Sequence, residues 1–295
     1  MKVNDTTKKI AISTAIAGSF GVLYGGVRSV SKSIGKLEKE FMKNIKPEYF
    51  SYLNSDEILS VQKLLNKGLS TEELNMFSRI WKIPDKKQFL KEALDIYLDG
   101  TGYEHIKPGL TFENSQNDGG WSWSNFNINI SNVENYSKVK ILSVLRHEIE
   151  HYKQFVTMLR TEGIGTDEIF DFEMKDMFNK AKKSDQFKDM SDEEIKNLLN
   201  FHYGQLKEIF YLRQQIAELS FGKIPANSPE GQKARDYFEA NKNYVRVNIF
   251  SSDEDVAKYE GNLLEKEAFA VGGDTAEKYR KFILALIENK KSNHQ

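Results

Sequence analysis

Ser137 to Arg160 reads SKVKILSVLRHEIEHYKQFVTMLR. Val139, Leu142, Leu145, Ile149, Tyr152, Val156 and Leu159 recur at three- and four-residue spacings with no Pro or Gly between them, which predicts one long helix with an apolar face. At its centre lies His147-Glu148-Ile149-Glu150-His151. Four residues turn a helix through about 400°, so both imidazoles lie on one side, about one turn apart. At that spacing both ring nitrogens can reach one Zn²⁺ at about 2.0–2.1 Å. Glu148 follows the first histidine, and its carboxylate can lean toward the open side of such an ion and deprotonate a bound water. With five His and 43 acidic residues among 295, chance supplies roughly 0.01 matches to this pattern, which argues against a surface helix carrying two unrelated histidines.

On these residues the chain resembles the zincin metallopeptidases, and the third metal ligand is where the classes within that group differ. A metzincin would place Gly at 154 and His at 157, where this chain has Gln154 and Thr157. Gly165-Thr166-Asp167-Glu168 is similar to the GTxD of aspzincins but ends in Glu. Glu265-Lys266-Glu267-Ala268-Phe269-Ala270-Val271-Gly272 is similar to the E-x-x-A helix of glutamate zincins, whose alanines let it approach the metal helix. The CAAX-type membrane proteases carry Asp after the first Ala, where this chain has Phe269. The resemblance thus implies zinc held by His147, His151 and Glu265, with Glu267, Glu168 and His202 as alternative third ligands. It implies an α+β, mostly helical fold: a zincin-like core with a small antiparallel sheet beside the HExxH helix. It also implies hydrolysis of a peptide or protein substrate by a zinc-activated water, with Glu148 as general base and Tyr259 or His202 as candidate donors to the oxyanion. The alternative is a zincin fold without turnover, serving as a structural or zinc-stabilised binding protein.

Composition fits that chemistry. A net charge of −1 gives no reason to expect a nucleic-acid partner, and 295 residues suffice for one or two domains. With no Cys, disulfides and thiolate ligands are excluded, so any metal is held by His and carboxylates, which suits a catalytic zinc better than a structural one.

Residues 1–46 read as an apolar segment and linker. Ile10 to Val27 is an uncharged run of 18 residues flanked by Lys8-Lys9 and Arg28, at the lower limit for spanning a bilayer. Membrane association through residues 10–27 is therefore the expected localisation, with a cytoplasmic protein as the alternative. Residues 47–100 read as a helical scaffold, in which Ser70-x-x-Glu73 and Asp85-x-x-Gln88 open helices and Gly68 and Gly100 follow helix ends. Residues 101–290 read as the catalytic domain.

Within that domain, Asn117-Asp118-Gly119-Gly120 predicts a hairpin turn between strand-like runs. Phe126, Ile128 and Ile130 alternate with Asn125, Asn127, Asn129 and Ser131, giving one apolar and one amide-rich face. By the zincin resemblance, 125–131 is the edge strand that pairs with extended substrate. Trp121 and Trp123 either line the cleft or pack. Downstream, Ser191-x-x-Glu194, Ser228-Pro229, Ser252-x-x-Asp255 and Asp274-x-x-Glu277 are helix-opening signals.

Overall fold

A computed structural model describes residue 72 and residues 76–113, 118–123, 126–184, 187–245, 247 and 251–292. The expected membrane segment 10–27, the linker to residue 46 and the helices expected before residue 72 lie outside these. Among the described residues, no helix is long and apolar enough to cross a membrane.

The fold is α+β and mostly helical. Helix α1 (Lys86–Leu98) starts where Asp85 accepts a hydrogen bond from the Gln88 N–H, as its sequence signal requires. Three short strands follow: β1 (Gly109–Thr111), β2 (Gly119–Ser122) and β3 (Asn127–Ile130). Helix α2 (Lys138–Leu159) is the expected long helix, with Ser137 accepting from the Lys140 N–H at its start. Then come α3 (Gly165–Lys182), α4 (Asp192–Phe221), α5 (Pro229–Lys242), α6 (Asp253–Gly261) and α7 (Leu263–Ser292). The capping signals at Ser191, Ser228 and Ser252 each open a helix. Asp274 does not: α7 runs through it unbroken, because a local start signal has no effect on a helix already propagating.

The sheet departs from expectation in three ways. It is mixed, not antiparallel: in the order β1-β3-β2, β1 runs parallel to β3 and β2 antiparallel to it. Gly119 and Gly120 lie inside β2 and not in a turn, and the chain reverses instead between Trp123 and Phe126, where Phe126 takes a left-handed φ of 51°. That conformation is unfavourable for a bulky residue. Packing compensates, since the Phe126 ring is buried against Trp121, Phe155 and Phe210. Finally, β3 is the central strand and cannot be the edge that pairs with substrate. Its amide face is consumed internally: Asn127 donates to Thr111 Oγ1 at 2.7 Å, while Asn129 pairs with both backbone groups of Glu113 at 2.7 and 2.9 Å. Trp121 and Trp123 pack, the first against Tyr152 and Phe155 and the second against Phe210.

The most extensive contact between two elements is that of α2 with α7, which run antiparallel. Ala268 and Gly272 are the small residues at this crossing, whereas Ala270 is exposed. The Ser143 hydroxyl donates to the Gly272 carbonyl at 2.8 Å. A Cβ on Gly272 would stand 2.9 Å from the Ser143 carbonyl oxygen and 3.3 Å from His147 Cβ. Overpacking of this kind costs about 1–3 kcal/mol. Gly272→Val is therefore expected to lower the melting temperature in a thermal unfolding scan. An unchanged or raised melting temperature would show that the crossing tolerates the extra bulk.

Candidate metal centre

Helix periodicity brings His147 and His151 to one side of α2, and the close crossing brings Glu265, in the first turn of α7, against both. Their Nε2 atoms are 3.0 Å apart. His147 Nε2 lies 3.3 Å from Glu265 Oε2, and His151 Nε2 lies 3.2 Å from Glu265 Oε1. One ligand atom from each of the three side chains lies within 4.8 Å of the other two. His147, His151 and Glu265 could thus hold a metal ion.

One further observation fits a cation. Glu265 is fully buried and its Oε2 accepts no hydrogen bond, an arrangement that is costly for a carboxylate unless positive charge sits beside it. Burial alone would lower His151 and raise Glu265. The hydrogen bonds and charges they share overturn both tendencies, pushing His151 up to about 9 and holding the Glu265 carboxyl well below the usual carboxylate range.

The surroundings orient the ligands. His151 Nδ1 lies 3.1 Å from Gln154 Oε1, and Gln154 Nε2 donates to the Leu264 carbonyl at 3.1 Å. Because Leu264 offers only an acceptor, the amide presents its oxygen to His151. In the neutral ring Nδ1 then carries the proton and Nε2 turns its lone pair toward Glu265. Gln154 is buried and bridges the second histidine on α2 to the residue preceding the carboxylate on α7. The Tyr244 hydroxyl donates to Glu265 Oε1, and Tyr259, whose ring packs edge-on to that of Tyr244, lies near the same carboxylate. Burial and the Glu265 charge raise both phenols far above their ordinary value, so they stay protonated donors.

Glu148 is also buried. Burial raises its carboxyl above the ordinary range, the charge of Glu265 adds to this, and His147, His151 and a hydrogen bond from the Trp121 backbone act against it. The strand register explains that last bond. Ser131 N–H donates to the Asp118 carbonyl, so counting by twos along β2 turns the N–H and C=O of Gly119 and Trp121 away from β3. The edge beside the histidines is therefore β2, not β3. A Cβ at Gly119 would come within 2.6 Å of Val144 and 2.9 Å of Glu148 Oε1, so glycine is what lets this edge lie against α2.

Glu267 and Glu168 are not in the cluster. Glu267 accepts from Tyr237 and pairs with Lys233 at 3.2 Å. Glu168 is exposed on α3, beside a cleft of about 150 Å³ at the start of that helix. His202 lies in α4, with its side chain outside the described residues. Phe269, one turn after Glu265, lays its half-exposed ring 4.7 Å from that of His147. Sequence reading had no role for Gln154 or Tyr244. Gln154 was detectable as a polar residue on the same helix face three positions after His151, whereas nothing local marks Tyr244.

No protein-family model, curated protein or solved structure matches the chain.

Loss of a hydrogen-bonding partner behind a ligand costs about 10–100-fold in metal affinity. Gln154→Leu should lower the affinity for added zinc by that amount in a competition titration while leaving the helix content unchanged. Full affinity would show that the Leu264 bridge does not orient His151.

Proposed function

We propose that this protein is a zinc-dependent peptidase of the glutamate-zincin type. The observation that carries the reading is the close grouping of His147, His151 and Glu265, with the Glu148 carboxylate beside it and the β2 edge next to both. Two imidazoles and one carboxylate suit zinc in a site that keeps one position for water. When bound there, zinc lowers the pKa of a water toward about 7 and polarises a carbonyl oxygen.

The chain's own residues supply the rest. Glu148 takes a proton from the water that adds to the scissile carbonyl carbon, and returns a proton to the nitrogen as the C–N bond breaks. Its raised carboxyl pKa brings its basicity closer to what both transfers require. The Trp121 N–H holds that carboxylate in place. Tyr244 keeps Glu265 oriented through its only proton, and the Tyr259 phenol, which burial keeps protonated, can donate to negative charge developing on the carbonyl oxygen. The outward N–H and C=O of Gly119 offer main-chain pairing to an extended peptide along β2, which makes a peptide or protein the substrate. Phe269 stands where the CAAX-type proteases carry Asp, and here it packs on His147.

Two substitutions, compared with wild type, test this reading. Wild-type protein should bind one zinc per chain, and Glu265→Gln should bind it more weakly because a neutral amide replaces an anionic ligand. Glu148→Gln should retain zinc while peptide hydrolysis falls by about 10²–10⁴-fold. The measurements are zinc content by elemental analysis and cleavage of a mixed peptide library by mass spectrometry. A zinc-loaded wild type with no more cleavage than Glu148→Gln would leave a zinc-stabilised binding or structural protein as the better reading.

A further inference from the structure

Five large hydrophobic side chains stand exposed among the described residues. Phe269 covers a metal-site histidine. The other four, Ile209, Leu212, Ile216 and Leu219, lie on one helix, α4, with 43, 60, 40 and 87 % of their surface exposed. Their spacing is three, four, three. The opposite side of α4 is already used, since Phe210 and Ala217 are buried in the core and Gln214 hydrogen-bonds to Thr166 at the start of α3. A surface helix ordinarily turns its apolar stripe inward and its polar face to water. Helix α4 has a second apolar stripe, turned outward.

The residue types say what fits it. In a heptad lettered a to g, Ile209 and Ile216 fall at a, and Leu212 and Leu219 at d. A β-branched residue at a with Leu at d favours two parallel strands. The flanks agree: Glu208 and Gln215 occupy g, and Arg213 and Ser220 occupy e. In a parallel pair, g of one helix meets the next e of the other, which sets Glu208 against the partner subunit's Arg213. The Arg213 guanidinium is held at the edge of the stripe over the Phe126 ring, 3.7 Å from its centroid. Charge and seam therefore complement a second copy of the same face.

We propose that the outward face of α4 is a homodimer interface, in which two copies pair α4 in parallel over Ile209–Leu219. Four partly exposed side chains per copy cannot supply the ~800 Å² per partner of a standard interface, so the dimer is weak and forms with rising concentration. The stripe belongs to α4, and the zinc ligands to α2 and α7, so this interface stands independently of the proposed peptidase activity.

The chain has no Cys, so a single introduced thiol reports pairing without background. Sedimentation of the full chain should show a reversible monomer–dimer equilibrium. Leu219→Glu, at the most exposed position, should raise the dimer Kd about tenfold or more, with Leu212→Glu as a second variant and unchanged circular dichroism showing that each folds. Under mild oxidation, Leu212→Cys should form disulfide-linked dimers, because d faces d in a parallel pair, while Asp236→Cys on exposed α5 should not. Wild type that stays monomeric at every concentration overturns the proposal. So does a dimer unaffected by both Glu variants, or an antiparallel pairing in which Leu212→Cys links only when mixed with Ile216→Cys. Binding of the stripe to phosphatidylcholine vesicles, lost in Leu219→Glu without any dimer, would identify it as a lipid-facing surface and equally overturn the proposal.

Discussion

A carboxylate with no exposed surface must be compensated, and Glu265 is compensated from two directions. Two imidazoles face its oxygens and the Tyr244 phenol donates to Oε1, while Oε2 is left without a hydrogen bond. The cost of burying an unpaired charge is several kcal/mol, so this arrangement persists only while α2 and α7 hold their distance. Much of the rest of the molecule bears on that distance. Gly272 and Ala268 permit the approach, the Ser143–Gly272 bond and the Gln154 bridge tie the two helices, and α5 packs against both.

The sheet is small, and its work is local. β1 and β2 pair on either side of β3, and its amide side chains bond to Thr111 and the Glu113 backbone, so β3 has no free edge and β2 is the edge strand that meets α2. That edge is pressed onto α2 by glycine at 119, and its Trp121 N–H fixes Glu148. Behind it, Trp121, Phe126, Phe155 and Phe210 interlock at ring-centroid separations of 5.4–5.9 Å and hold Phe126 in a conformation it would not choose alone. The aromatic cluster and the candidate general base therefore meet at one residue, Trp121, whose ring belongs to the cluster and whose backbone faces Glu148. Disturbing the cluster should be felt at Glu148 before it is felt at the metal ligands, which are anchored on helices.

Much was legible in the sequence because it depends on short-range geometry. Helix α2 from Lys138 to Leu159, the histidine pair one turn apart, the Ser caps of the later helices and the absence of thiolate ligands all follow from the 3.6-residue period, from capping chemistry or from composition. Glu265 was chosen over its rivals only by resemblance to a motif. What the tertiary structure decided is whatever joins residues distant in the chain. It set which acid meets the histidines, with Glu265 inward and Glu267, two residues on, tied to Tyr237 and Lys233. It gave Gln154, read in the sequence only as a departure from the metzincin pattern, the place of a bridge between two helices. It also reversed the hairpin expectation. A Gly-Gly pair is a local turn signal, but here glycine is needed for the close approach of β2 to α2, and the reversal moved to Phe126 because buried ring contacts outweigh a backbone preference worth only about 1–2 kcal/mol.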